Sequence, residues 1–173
     1  MLLAQALLQY EQMASPTLLE LMLGLPGDSE KRFKNSVGDV IKLKPDFVRL
    51  YPALVLRHTH LYSMYQKGLY VPWSMEQTLD ALKDAIKSFG NAGIPVIRVG
   101  LQPDNSLKDN LVAGPFHPSL RYLVDCRIGF DLMVDKINSL NHIPKRVLFR
   151  VPKNTISIYT GNRRENLRLL KEQ

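Results

Sequence analysis

The stretch that decides the fold is Ile94–Pro118, which reads IPVIRVGLQPDNSLKDNLVAGPFHP. Its first part, Val96–Val99, is a short apolar run between Pro95 and Gly100. That length and the β-branched content favour a strand buried on both faces, as in a parallel sheet. Turn-forming residues follow at once, and sites in α/β folds gather where loops leave the carboxyl ends of strands. We therefore predict a central strand followed by a functional loop.

Two segments upstream predict the same strand-to-loop pattern. Thr17–Leu23 is a continuous apolar run that predicts a buried strand, and the tight turn Gly24–Asp28 follows it. Phe47–Leu56 is strand-like, but Pro52 should end the paired strand near Tyr51 because proline has no N–H to donate. Strands and helices that alternate in this order imply parallel pairing with right-handed crossovers, which is an α/β fold.

Helix signals separate these strands. Met1–Gln12 is apolar nearly all round, so a helix there must be covered by another surface. Asp28 and Thr59 are each placed to cap a following helix. Ser74 and Gln77 form a capping box that opens the clearest helix of the chain. The apolar stripe of that helix consists of Leu79, Leu82, Ile86 and Phe89.

The C-terminal third shows weaker patterns. Ser119–Leu140 has the periodicity of a long helix, with Gly129 as the place for a kink. Arg146–Val151 and Asn154–Tyr159 resemble two short strands around a turn. Gly161–Gln173 reads as a basic helix that closes the chain.

Composition limits the class of protein. The chain has 173 residues, 45% of them hydrophobic, which suits one globular domain with an appended piece. Its formal net charge of +7 favours anionic partners such as nucleic acid, although a generic basic surface would give the same value. The lone Cys126 excludes an internal disulfide, and we expect it to be a small core residue on a helix. No apolar run approaches the ~20 residues that cross a bilayer, so we expect no membrane contact and a cytoplasmic protein.

Five motifs together carry a family resemblance. They are LGLPGD (Leu23–Asp28), FVRLYP (Phe47–Pro52), VLRHT (Val55–Thr59), VIRVGLQ (Val96–Gln102) and GPFHP (Gly114–Pro118). In this order they resemble radical S-adenosylmethionine (SAM) proteins of the Elongator-catalytic-subunit-like branch, which is also described as related to oxygen-independent coproporphyrinogen oxidase. The resemblance implies the C-terminal part of a partial (β/α) TIM-like barrel of parallel strands in residues 1–110. It implies a small α+β C-terminal extension of the radical SAM enzyme in residues 111–173.

The resemblance also implies two cofactors, SAM and a [4Fe-4S] cluster held by three cysteines near the N-terminus of the family. No such cysteines occur in this chain. Because thiolates hold such a cluster, we expect neither cofactor to bind this chain alone, and we expect it to be inactive without a cluster-bearing N-terminal half. A truncated frame, a cloned fragment and one piece of a split enzyme remain alternatives.

Candidate site residues follow from the rim that the resemblance implies. The resemblance implies that Arg49 and Tyr51 face the barrel interior and meet substrate or the carboxylate of the cofactor. Arg98 alternates with apolar neighbours, so we expect it to point inward toward substrate too, where a bidentate contact with an anion would offset its burial. The alternative is a snorkelling arginine or a tyrosine with a satisfied hydroxyl. The resemblance places one turn on the side of the rim where SAM binds, and this turn consists of Gly24, Leu25, Pro26 and Gly27. The alternative is an ordinary strand-to-helix turn without contact to the cofactor.

Two loop residues and a basic segment complete the candidates. Gln102 and His117 are polar groups on constrained loops that would face substrate, although a histidine between prolines can also serve as a hydrogen-bonding strut. In a second hypothesis the chain is a stand-alone module that binds RNA, and tRNA in particular. The contacts would be made by Arg163, Arg164 and Arg168. The two family relationships suggest either tRNA or a tetrapyrrole as the substrate.

Overall fold

The structure is a computed structural model that describes residues 16–140 and 146–172. Within these ranges the chain divides into two compact units, the first ending at Pro118 and the second beginning at Ser119. The predicted helix Met1–Gln12 lies outside the described residues. The two units are therefore described one after the other.

The first unit alternates strands and helices. Its strands are β1 (Leu18–Leu23), β2 (Phe47–Pro52), β3 (Val55–Leu56), β4 (Val96–Val99) and β5 (Leu111–Ala113). Its helices are α1 (Glu30–Leu43), α2 (His60–Gln66), α3 (Met75–Asn91) and α4 (Asn105–Asn110). Strands β1, β2 and β4 form a parallel sheet in the order β1-β2-β4, and β3 pairs antiparallel with β5. The predicted α/β class with parallel strands is confirmed. Strand β5 lies beyond residue 110, yet it pairs within this unit.

The centre of the described sheet is β2, whereas β1 and β4 lie at its two edges. Leu18 and Met22 on β1 are exposed, and Ile97 on β4 is 50% exposed. The predictions of a fully buried first strand and a central Val96–Val99 strand are therefore wrong. A short apolar run has the same appearance in a central strand and in an edge strand, so the pattern did not separate them.

One face of the sheet is covered by helices α1 and α3. Val48 and Leu50 of β2 point to this face and are 0% exposed. Their neighbours Arg49 and Tyr51 are only half-buried, as the period of two along a strand requires. The helices bury apolar residues against this face, namely Phe33, Val37, Leu79, Leu82 and Phe89.

The helix starts follow the sequence signals closely. The Thr59 side chain accepts the Tyr62 N–H at the start of α2, and the Ser74–Gln77 capping box is formed. The exception is α1, where the N-cap is Ser29 instead of the predicted Asp28. Strand β2 ends at Pro52, one residue past the predicted end.

The second unit is helical in its described residues. It contains α5 (Leu120–Asn138), α6 (Ile156–Thr160) and α7 (Glu165–Leu169), with 3-10 turns at Lys153–Thr155 and Asn162–Arg164. The long helix is confirmed, and it continues as one element through Gly129. The predicted strands at Arg146–Val151 and Asn154–Tyr159 are wrong, and so is a single basic helix over Gly161–Gln173.

Asn166 explains why this end of the chain is not one helix. Its buried side-chain amide donates to the carbonyl oxygens of Cys126 (2.8 Å) and Ile158 (3.1 Å). Gly161 has a φ of +79°, and a Cβ there would lie 2.7 Å from Asn166. The helical path is therefore interrupted at Gly161, and the short helices on both sides of it pack on α5. This tertiary packing outweighs the local strand propensity.

Candidate functional site

The carboxyl ends of the three parallel strands lie side by side at one end of the sheet, which we call the sheet edge. The Ala53 N–H, just after β2, donates to the carbonyl of Leu23 at 2.8 Å. The Gly100 N–H, just after β4, donates to the carbonyl of Leu50 at 2.8 Å. The three loops that follow β1, β2 and β4 therefore start side by side. The predicted grouping of these loop ends is confirmed.

The turn after β1 is held by groups that are far away in sequence. The Tyr70 hydroxyl donates to the carbonyl of Gly24 at 2.6 Å, and the Gly24 N–H donates to Asp28 Oδ2 at 2.8 Å. Gly24 has a φ of +77°, and a Cβ there would lie 3.2 Å from the Trp73 ring. Glycine is thus needed at this position for conformation and for space.

The same turn presents an apolar surface. Leu25 is 42% exposed, and Pro26 and Gly27 are also exposed. The carbonyl of Leu25 accepts the Asp28 N–H at 2.9 Å, and that of Gly27 accepts a hydrogen bond from Arg32. The turn predicted to lie on the SAM side therefore presents an apolar surface to a ligand. Its described hydrogen bonds stabilise the conformation of the turn.

The face of the sheet opposite α1 and α3, which we call the open face, carries three charged residues in one row. Glu20, Arg49 and Arg98 are register partners on β1, β2 and β4. The Arg49 Nη1 atom donates to Glu20 Oε1 at 3.0 Å. The Arg49 Nε atom is buried and has no hydrogen-bond partner within the described residues. Arg98 is exposed, and its Nη2 atom donates to Gln102 Oε1 at 3.4 Å.

The structure thus brings together three of the five predicted substrate-facing residues, Arg49, Arg98 and Gln102. Tyr51 is half-buried on the same face of β2, two residues further along. His117 is half-buried on the segment that leaves β5. That segment begins at the same sheet edge, because a Cβ on Gly114 would lie 3.1 Å from the carbonyl oxygen of Ala53.

Sequence reasoning missed three residues at this site. Glu20 is the single charge within the apolar run Thr17–Leu23, and that contrast could have marked it. Trp73 is the one tryptophan of the chain, and it stacks edge-on against Phe33 with ring centres 6.5 Å apart. Tyr70 is buried, and its pKa is raised by this burial and, less strongly, by the charge of Asp28.

The predicted RNA-contacting arginines lie in the second unit. Arg163 and Arg164 are exposed and have left-handed backbone conformations, with φ values of 51° and 63°. The Arg168 guanidinium is exposed but lies 3.7 Å from the Glu165 carboxylate. Because Arg168 is partly neutralised, the two arginines before α7 carry the more available charge.

Cys126 is buried in α5, as predicted for a small core residue. Burial raises the pKa of its thiol, and its Sγ atom lies 3.9 Å from the Ser157 carbonyl oxygen. Across residues 16–140 and 146–172, no three His, Cys, Asp or Glu side chains are grouped so as to hold a metal ion. Within the same ranges, every helix is too short or too polar to span a membrane.

Comparisons with known proteins agree on a family. The model of the radical SAM C-terminal domain matches residues 45–128. Two curated relatives are tRNA uridine(34) acetyltransferases of Methanocaldococcus jannaschii and Methanocaldococcus infernus, which are 34% and 32% identical over 68 residues. The solved structure of the archaeal Methanocaldococcus infernus Elp3 with an N-terminal deletion is 25% identical, with a TM-score of 0.53.

These matches cover a small part of much longer proteins. Each curated alignment covers 38% of this chain and 13% of the relative. The structural match covers 70% of this chain and 27% of the Elp3 chain.

Proposed function

We propose that this chain, a C-terminal fragment of an Elongator-like radical SAM protein, forms the later strands of a partial (β/α) barrel with its first unit. In this proposal the sheet edge supplies part of the barrel rim, and the open face supplies part of the surface toward the substrate. The second unit serves as the C-terminal extension. The link to coproporphyrinogen oxidase stays a prediction.

The observation that carries this proposal is the difference between the two faces of the sheet. One face is packed by α1 and α3, while the open face leaves Leu18 (36%) and Met22 (46%) exposed. Apolar side chains grouped on an exposed face mark a surface that another element covers. Further strands of a barrel would cover this face and enclose the charged row of Glu20, Arg49 and Arg98.

The residues of this chain do not fit the [4Fe-4S] cluster of the family. Cluster binding requires several thiolates, whereas this chain has a single cysteine with a buried thiol. We therefore propose that the cluster is held by an N-terminal half and that this chain is inactive alone. In the family, SAM is cleaved reductively at that cluster. Leu25 and Pro26 would contribute apolar contact to the SAM side of the rim.

A nucleic-acid substrate is the natural extension of the proposal. The curated relatives act on tRNA uridine 34, as their names state. The net charge of +7 would favour attraction of a polyanion. We accordingly propose tRNA as the substrate class, and the reducing cytoplasm as the compartment, since a single unpaired thiol suits it.

Reconstitution tests the proposed function. The chain would be mixed with the separately produced, cluster-bearing N-terminal half of a radical SAM relative, and 5′-deoxyadenosine formed from SAM would be measured. We expect more product than the N-terminal half yields alone. A basic protein of similar size and charge serves as the control for nonspecific stabilisation. Equal product with and without the chain would contradict the proposal.

A second candidate function is a stand-alone RNA-binding module. Its support is the exposed pair Arg163 and Arg164, whose strained backbone conformations hold two guanidinium groups ahead of α7. Neutralising both arginines should weaken tRNA binding and reduce the slope of its salt dependence. Neutralising Arg168 should have the smaller effect, because Glu165 already lies beside it. Absence of tRNA binding by the unmodified chain at low salt would exclude this function.

A further inference from the structure

The row of charges on the open face has an excess of positive charge. Glu20, Arg49 and Arg98 are register partners on three neighbouring strands, so the row carries two guanidinium groups and one carboxylate, which pairs with Arg49. Neighbouring strands lie about 4.8 Å apart. Like charges in directly opposed positions destabilise a sheet. A compensating negative charge beside the two arginines would relieve this repulsion.

The N–H donors of the two arginines in this row are also incompletely paired. Arg49 contacts Glu20 through Nη1, but its Nε atom is buried and has no partner among residues 16–140 and 146–172. Buried donors are normally paired in proteins, and such an exception calls for an explanation. The Arg98 guanidinium donates to the Gln102 oxygen at a long 3.4 Å. Arg98 is exposed and the Arg49 side chain is 33% exposed, so guanidinium N–H groups of both arginines can reach a further acceptor.

From these two observations we infer that Arg49 and Arg98 form a binding site for an oxyanion, the carboxylate or phosphate group of a small molecule. The planar guanidinium group presents paired N–H donors that match two oxygens of such a group. Gln102, whose Oε1 atom accepts a hydrogen bond from Arg98, also carries an amide NH₂ donor. Glu20 competes with the anion for Arg49. The site deepens the proposed function, because it gives the open face a ligand class.

The test is an NMR titration of the full chain, with the arginine Nε–Hε signals followed during addition of sodium phosphate or sodium acetate. Sodium chloride at equal ionic strength controls for general screening. We expect saturable shifts of the Arg49 and Arg98 signals with at least one of the two anions. The anion that saturates the site at lower concentration identifies a phosphate or a carboxylate as the preferred group. Shifts that grow linearly, as at any surface arginine, would overturn the inference.

Variants make the test specific. Arg98→Gln should weaken anion binding about tenfold or more, and Arg98→Lys should weaken it too, because the charge remains but the paired donors are lost. Glu20→Gln should tighten binding severalfold by removing the competing carboxylate. Glu165→Gln is the matched control, since Glu165 also pairs with an arginine and its loss changes the net charge equally. Equal tightening by both glutamate variants would show only general charge attraction and would overturn the site.

The outcome of this titration does not depend on the outcome of the reconstitution experiment. It needs neither cluster nor SAM, so a chain that binds the anion but adds nothing to 5′-deoxyadenosine formation would retain this inference and lose the proposed function. Arg98 is exposed, so its variants should fold, and the remaining amide signals report that directly.

Discussion

The two faces of strand β2 differ in what they do for the molecule. Val48 and Leu50 on the covered face are fully buried under α1 and α3, and they hold the first unit together. Arg49 and Tyr51 alternate with them, yet they lie on the open face with only partial burial. One strand thus serves packing on one side and remains available for binding on the other. The comparison indicates that residues on the open face can change with little loss of stability.

The largest expected effect is on the covered face. Leu50→Ala should lower the free energy of unfolding by about 2–5 kcal/mol, because it removes buried methyl groups and leaves a cavity. Arg49→Gln, its neighbour on the open face, should cost much less, since the pair with Glu20 is half exposed. Denaturant unfolding measures both. Comparable losses for the two variants would remove the distinction between the faces.

An intermediate effect is expected at the sheet edge. Gly24→Ala should cost about 1–3 kcal/mol, because residue 24 has a left-handed backbone and its Cβ would press on Trp73. Gly38→Ala is the matched control in α1, where an added Cβ would meet no atom of the described part of the chain within 4 Å. This control should be stabilising by about 0.5–1 kcal/mol, because alanine favours a helix over glycine. Thermal or denaturant unfolding of the two variants should therefore shift in opposite directions, and a shared direction would contradict this account of the turn.

The smallest effect is expected at Tyr70, whose hydroxyl donates to the carbonyl of Gly24 in that turn. Burial raises the pKa of Tyr70 above its ordinary value of 10.0. The folded state then holds the phenol proton more tightly than the unfolded chain does. Its contribution to stability is complete below pH 10.0 and is lost as the pH rises through the folded pKa. Tyr70→Phe should cost about 1 kcal/mol at neutral pH through the lost bond to Gly24.

The pH dependence separates this role from simple packing. The unmodified chain should lose more unfolding free energy above pH 10.0 than Tyr70→Phe does, when both are measured by denaturant unfolding over the same alkaline range. Identical pH profiles would mean that Tyr70 ionises equally in the folded and unfolded chain.

Local signals predicted the first unit well. The capping box at Ser74 and the cap at Thr59 depend on side chains within three residues, so sequence reveals them directly. Which strand is central depends on pairing partners far away in sequence, and the apolar run Val96–Val99 carries no such information. The β3–β5 pair was missed for the same reason, since each strand has at most three residues.

The second unit was predicted less well because long-range contacts decide its structure. Ile156–Thr160 has residues that favour strands, but it forms a helical turn packed on α5. Asn166, which holds that arrangement, resembles any polar residue in sequence. At the site, the alternation around Arg49 and Arg98 was readable, whereas their alignment with Glu20 required the register of the strands.

The central claim is that the open face is covered by a cluster-bearing N-terminal half. The most direct test is the rate at which a thiol reagent labels a Met22→Cys variant. The rate is followed by the increase in mass of this chain, first for the chain alone and then after mixing with that half. Met22 lies on the open face, and Lys34→Cys on the exposed side of α1 is the control. We expect labelling at position 22 to slow by about tenfold or more, with position 34 unchanged. An unchanged rate at position 22, under conditions where the two halves associate, would contradict the account.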